Sequence, residues 1–347
     1  MTLSPTIISV IRPFAFGLAR RAEAWRLIAD LIAARLDAGQ AIAQAAEIYR
    51  MRGKALTAHL LMDLRVSISQ GEFISKAAQI APGAESLLFA RFGRADAGRI
   101  FEGAARIARA ELVMRRAITS AIAKPLLLIV LTYVLYYVLG TQLFPQVEQI
   151  QPRNAWPASA QAIAAISDFL VNNVFLVTGI TAISAFAIRA SLSVPFPGRM
   201  ALDRLPPWSL YKLRMACAFL FAIVETARTG GELKTSTLQA MAEHANPYIK
   251  DRITKIAEHL PTANIGQAAV AAGQDFPARD LNAILALVAA QDGWIERFAA
   301  FLERWIADIE LTIQRATAGL NVALLLLITL SLGAAISNIL AVLQTLQ

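Results

Sequence analysis

The residues whose types could support chemistry are few and scattered. The chain carries three histidines, His59, His244 and His259, and a single cysteine, Cys217. No second His or Cys stands at metal-ligand spacing from any of them, so they suggest no zinc or comparable site. His59 and Asp63 are one helical turn apart and read as a polar pair on an exposed helix face, while Glu258 and His259, just before Pro261, read as a helix end. The stretch nearest to a phosphate-binding loop, "MRGKAL" at 51–56, lacks the glycine-rich turn that would cradle phosphates. Cys217 cannot form an internal disulfide and reads as a small core residue. The sequence therefore nominates no catalytic residue, no metal ligand and no cofactor site, and the expectation is a protein that is not an enzyme. One charged cluster stands out: Arg50, Arg52 and Lys54, on a loop between expected helices. Such a patch would speed docking onto an acidic partner or sit near anionic lipid headgroups.

The elements that carry these residues follow from composition. Of 347 residues, 56% are hydrophobic and 17% charged, against roughly 25% charged in ordinary soluble domains. A spanning helix needs about 20 apolar residues, and an isolated ion at mid-bilayer costs at least about 2.5 kcal/mol. Three charge-free windows meet that requirement, at 125–147, 169–188 and 316–347. The net charge of +8 could point to nucleic acid, but its distribution argues for topology instead. Eighteen of the 33 Lys and Arg precede the first window, fourteen lie at 189–315, and only Arg153 lies between the first two windows. Basic residues stay on the cytoplasmic side of short loops. The expectation is a multi-pass membrane protein with a cytoplasmic N-terminus, no nucleic-acid partner, and this order: a cytoplasmic domain at 1–120, a membrane helix at 121–147, a loop on the far side at 148–168, a second membrane helix at 169–188, a second cytoplasmic domain at 189–315 and a third membrane helix at 316–343. The opening "MTLSPTIISVIRPF" has no basic region ahead of its apolar part and reads as no signal peptide.

Outside the windows the chain reads as helix almost throughout, with Gly and Pro as punctuation and no alternating strand pattern. In "RLIADLIAARLDAG" at 26–39 the expected buried stripe is Leu27, Leu31, Ala34 and Ala38, with Arg26, Asp30 and Asp37 outward. The two halves echo each other. "LDAGQAIAQAAEI" (36–48) pairs with "ARTGGELKTSTLQ" (227–239), each placing a glycine, Gly39 or Gly230, at a helix end. "QGEFISKAA" (70–78) pairs with "PTANIGQAA" (261–269), and "DAGRIFEGAARIA" (96–108) with "QDGWIERFAAFLE" (291–303), which aligns Gly98 with Gly293. The fold class expected is all-α: two duplicated helical-bundle cytoplasmic domains and three transmembrane helices. Segments 20–115 and 200–315 are each long enough for a core of their own.

Within the windows there are amides and small residues but no ions. Gly319, Ala323, Ser331 and Asn338 suit close helix packing with interhelical hydrogen bonds, either between subunits or within the three-helix set. Lys124 marks the interface by snorkelling, Pro125 is expected in the first turn of the first membrane helix, and the hydroxyls of Tyr133, Tyr136 and Tyr137 need partners on another helix. A transporter would place an ion or a broken helix pair at mid-membrane; a membrane subunit of a transporter is the alternative reading.

With this layout the chain resembles the type II secretion F-domain family, the GspF/PilC-like inner-membrane platform proteins of type II secretion and type IV pilus machines. The resemblance runs over residues 26–343 and rests on "DAGQAIAQAA" (37–46), on "VPFPGRM" (194–200) leading into the second domain, and on Pro125. The family's Gly-Glu-x-x-Gly signature reads "RADAG" (94–98) and "AAQDG" (289–293) here, without the leading glycine and glutamate, and no metal role is carried over. The short length and loose signatures are closer to the type IVb and conjugative thin pilus branch. The resemblance implies a location in the bacterial inner membrane, with 148–168 as a periplasmic loop, and a platform that couples a cytoplasmic hexameric assembly ATPase to insertion of pilin or pseudopilin into a fibre. It further implies contacts with other inner-membrane assembly proteins and lipid, homo-oligomerisation, and no cofactor.

Overall fold

The computed structural model describes residues 15–81, 84–93, 95–243 and 245–345. The opening stretch read as carrying no signal peptide, Arg94 and His244 lie outside them. The described residues are helical with no strand, apart from an isolated bridge between Phe92 and Ala95. The first half runs α1 (Leu18–Ala33), α2 (Ala38–Met51), α3 (Ala55–Ser69), α4 (Phe73–Ile80), α5 (Ala84–Phe89) and α6 (Ala97–Val138). A π-helical turn (Leu139–Leu143) follows, then α7 (Phe144–Ile150), α8 (Ala158–Asn172), α9 (Val174–Leu192) and the short α10 (Arg199–Leu202). The second half runs α11 (Trp208–Arg228), α12 (Thr235–Glu243), α13 (Pro247–His259), α14 (Ile265–Ala271), α15 (Arg279–Val288) and α16 (Trp294–Thr345). His259 is a helix end, as its place before Pro261 indicates. Among the described residues, three stretches are long and apolar enough to cross a membrane: the helical run Ala97–Ile150, the helix Val174–Leu192, and Thr317–Ser337 within α16.

The windows and the helices do not share boundaries. Pro125 lies in the interior of α6, not in a first turn. Helical hydrogen bonding starts 28 residues upstream at Ala97 because Asp96 accepts from the Arg99 N–H at 2.8 Å and caps the start. The proline ring leaves only the Ala121 carbonyl without its helical donor, a loss that apolar helices tolerate. The segment expected as a periplasmic loop, 148–168, is largely helix, and the second window is divided at Asn173. The Asn173 side-chain amide donates to the Phe169 carbonyl at 2.9 Å, a local bond that competes with helix continuation.

The chain divides into two compact units, one formed by the chain up to Arg115 with Ser191–Asp308, the other by Arg116–Ala190 with the chain from Ile309. The two segments expected as separate bundles thus form a single unit. Helix α11 explains this. Ten of its eleven residues at 216–226 are buried, so it is covered on every side rather than along one stripe. Cys217 is among them, fully buried as expected of a core residue, and burial pushes its thiol up to about 12.

In the first unit the stripe of α1 differs from the one read from spacing. Ala24, Trp25, Ile28 and Ala29 are buried, Leu27 and Leu31 only partly, and Ala34 is exposed. Trp25 decides the rotation. Its ring meets Phe16 edge-on at 5.2 Å, Phe89 at 5.1 Å and Phe101 at 5.7 Å, and the further ring Phe73 stacks on Phe92 at 3.9 Å. Each such pair adds about 0.5–1.5 kcal/mol beyond burial, which favours the face that carries the indole. The Trp25 N–H donates to Glu85 Oε2 at 2.7 Å. In the second unit, Tyr136, Leu139, Phe144, Val147, Trp156, Ala160, Ile163, Ala164 and Ala335 form one apolar cluster. Gly140, in the π-helical turn, lies so close to α8 that a Cβ there would stand 3.1 Å from the Ser167 Cβ. Arg153 is paired with Glu148 at 3.0 Å and with Asp168.

Candidate functional site

Glu225 is a lone acid inside the apolar run of α11, and it is 1% exposed. Three helices supply its partners and theirs. From α6, the Arg106 guanidinium donates to both Glu225 oxygens, at 2.8 and 2.7 Å, and to Glu102 at 2.6 Å. One turn along α11, Arg228 donates to Glu225 at 3.1 Å and reaches Glu296 of α16 at 2.5 and 3.1 Å. The result is an alternating chain of charges, Glu102, Arg106, Glu225, Arg228 and Glu296, joining α6, α11 and α16. Burial works against the Arg106 charge, but the bonds and charges of Glu225 and Glu102 outweigh it and hold its pKa above the ordinary guanidinium value. Lower on α6, Glu111 pairs with Arg214 at 2.5 Å, so α6 and α11 run antiparallel and are bonded at both levels. Gly103 permits the approach, since a Cβ there would stand 2.9 Å from Leu88 and 3.0 Å from Glu225. The arrangement leaves none of these five charges unpaired. What it can do is hold three helices in register, because removing one member leaves its neighbour a poorly solvated charge.

A second buried network lies where α9 ends. Arg199 donates to the Ser191 carbonyl at 2.5 Å and the Leu192 carbonyl at 3.1 Å, closing the C-terminus of that helix. It also donates to Asp203 at 2.9 Å, and Asp203 accepts from Tyr248 and Arg252 of α13 at 3.0 Å each. Arg199 lies over the Tyr248 ring at 4.7 Å. Burial, then the Asp203 charge, raises the Tyr248 pKa. Glu85 forms a third group: burial pushes its carboxyl up to about 7, opposed by Arg21 at 3.4 Å and the Trp25 N–H.

The residues nominated from sequence fall as follows. Arg50 sits in the last turn of α2, Arg52 and Lys54 at the ends of the two helices flanking Gly53, and all three are exposed. Two of the three charges are internally matched, Arg50 with Glu47 and Arg52 with Glu23 at 2.5 Å, so the patch is less basic than its sequence. His59 and Asp63 are not an exposed pair: Asp63 is buried and pairs with Lys76 at 3.5 Å, with His59 at 3.9 Å.

The four repeat glycines are not conformationally equivalent. Gly230 (φ +74) caps the end of α11 and Gly293 (φ +67) precedes α16, both left-handed. Gly39 lies in the first turn of α2, after the capping carboxylate of Asp37, and Gly98 in the first turn of α6, so neither closes a helix end. The left-handed residue at the first corner is Arg35 (φ 70). Gly319 and Ala323 are exposed, with open space beside Gly319. Ser331 is buried and hydrogen-bonds the Tyr136 hydroxyl at 2.9 Å. Their separation, 195 residues, is that of Gly98 and Gly293. The Tyr133 hydroxyl finds no partner among the described residues, and the side chain of Asn338 lies outside them.

Sequence reasoning missed the charge chain, although it left a signal: a glutamate with ten apolar neighbours before it in "MACAFLFAIVET" (215–226) has to find cations. It could not say which. The Asp203 and Glu85 networks carry no such signal, being assembled from residues of ordinary context. Among the described residues, no group of three or more His, Cys, Asp and Glu is placed to hold a metal ion. Compared with family models, with curated proteins and with solved structures, the chain matches none.

Proposed function

We propose that this chain is a non-enzymatic, inner-membrane platform protein of a type IV pilus or type II secretion assembly machine, cytoplasmic at its N-terminus, that couples an assembly ATPase to the movement of pilin from bilayer to fibre. One observation carries the reading. Helices α6 and α16 each begin in the first unit, bonded through Arg106, Glu225, Arg228 and Glu296, and continue without interruption into a stretch apolar enough to cross a membrane. A displacement imposed on the first unit would thereby be passed to membrane helices.

Duplication belongs to the same proposal. The order α1 to α6 is paralleled by α11 to α16, and Tyr136 and Ser331 meet at the repeat offset. The meeting supports duplication, because repeated helices related by a two-fold axis would bring equivalent residues together on that axis. The partners we propose are a hexameric cytoplasmic ATPase, pilin or pseudopilin, other inner-membrane assembly proteins and further copies of the chain.

The test is deletion of the gene followed by complementation. Wild type should restore fibres or secretion, while Glu225→Ala, if still inserted in the membrane, should not. The purified protein should hydrolyse no ATP alone and should co-purify with the ATPase. Fibre assembly in the deletion strain would refute the assignment.

A further inference from the structure

In the first unit, α2 and α3 form a hairpin with a groove of about 340 Å³ between them, lined by Ala43, Ala46, Ala55 and Ala58 and bordered by Arg50 and Met62. The alanines matter because no side chain of the described residues reaches in to fill the space. That volume is at the small end for a ligand pocket. Of its polar lining groups, Arg50 and Glu47 pair with each other and His59 leans toward the buried Asp63 at 3.9 Å, so no converging set of donors is placed to fix a small polar ligand.

Helices α2 to α4 present a surface unlike the rest of their half, and Met62 brings it to the groove. In the described residues before the first candidate span's apolar part, the exposed large hydrophobics are Met51, Leu56, Met62, Val66 and Ile74, all on α2 to α4, whereas α1, α5 and the start of α6 contribute none. Along α3 the exposed charge is of one sign. With Arg50 and Arg52 matched by glutamates, Lys54 and Arg65 stay exposed, with no ion-pair partner among the described residues.

We propose that the α2–α3 groove docks an amphipathic helix with acidic flanks from a soluble partner protein. An alanine-floored groove accepts the ridge of large apolar residues that such a helix presents at i, i+3, i+4 and i+7. Lys54 and Arg65 meet its acidic edge, giving partner choice and a salt-dependent on-rate. A bilayer surface offers no ridge to enter a concavity. A second copy offering the same face would set Lys54 and Arg65 against their own like charges. The inference does not depend on which machine the chain serves.

The experiment uses the full chain in neutral phosphatidylcholine nanodiscs and three fluorescein-labelled helical peptides about five turns long. One carries a leucine stripe flanked by Glu, one the same stripe flanked by Lys, and one the Glu composition with leucines scattered off the stripe. Fluorescence anisotropy should show binding of the first alone, weakened tenfold or more by Ala55→Trp, which fills the groove, and by Lys54→Glu with Arg65→Glu. Ala55 is exposed at the first position of α3, so the larger ring needs no room in the core; an unchanged melting temperature checks this. Equal binding of the acidic and basic peptides, no preference for the stripe, or unchanged affinity in Ala55→Trp would overturn the proposal. A fluorophore attached through Met62→Cys supplies a second readout. Quenching by brominated lipid, or cross-linking between copies at that position, would assign the face to the bilayer or to self-association and equally overturn it.

Discussion

Glu225→Ala is the substitution that most directly tests the charge chain. The carboxylate is 1% exposed and receives three charge-assisted bonds, two from Arg106 and one from Arg228. Removing one partner of a buried pair costs about 3–5 kcal/mol, because the remaining charge stays desolvated. Here the cations retain some water, with side-chain exposures of 30% for Arg106 and 21% for Arg228, and each keeps a second acid, Glu102 or Glu296. The lower end, about 3 kcal/mol, is therefore expected. For a unit of this size each kcal/mol lowers the melting temperature by about 2–4 °C, so the shift should be about 6–12 °C. Thermal scans of tryptophan fluorescence at fixed rate, on the full chain in nanodiscs, read this through Trp25, Trp208, Trp294 and Trp305 of the first unit. The double variant Glu225→Leu with Arg106→Met removes both charges and fills the space with apolar atoms, and should recover most of the loss. A shift under about 3 °C in Glu225→Ala, or a double variant no better than the single, would refute the view that this ion pair holds α6 to α11.

Glu85 sets a pH dependence of defined sign. Its folded pKa, about 7, lies above the ordinary 4.5, so its contribution is fully present below the unfolded value and is lost as pH rises through 7. Melting temperature should fall over that window in wild type, and Glu85→Gln should flatten this component. Gly266→Ala would place a Cβ 2.1 Å from the Ala286 backbone nitrogen, forcing α14 off α15; we expect a loss of about 1–3 kcal/mol or more, read by the same scans, with no comparable effect from Gly319→Ala. Tyr136→Phe should cost less than about 1 kcal/mol, since Ser331 retains its bond to the Leu327 carbonyl at 2.7 Å. For topology, cysteines introduced by Ala158→Cys and Lys234→Cys should react oppositely with an impermeant thiol reagent in intact cells, with buried Cys217 silent; external labelling at 234 would invert the orientation.

The sequence alone determined the class of this protein. Helix, apolar windows and the confinement of Lys and Arg to two segments are all written in one dimension, because helix periodicity and membrane transfer act on residues close together in the chain. The identity of Cys217 as a core residue and the end of α13 at His259 were legible for the same reason. Tertiary structure decided the rest. The rotation of α1 followed from an aromatic cluster whose members, Trp25, Phe89 and Phe101, are far apart in sequence. Pro125 ended up inside a helix because the cap at Asp96, not the proline, determines where α6 starts. Asp63 passed for a surface residue until α4 brought Lys76 against it. The partner of Glu225 on α6, Arg106, 119 residues away, and the Glu296 carboxylate that holds Arg228 from α16 could be chosen only once α6, α11 and α16 lay side by side. Burial makes an unpaired charge costly, so the sequence announces that Glu225 needs cations; long-range packing, which no local pattern encodes, selects which ones.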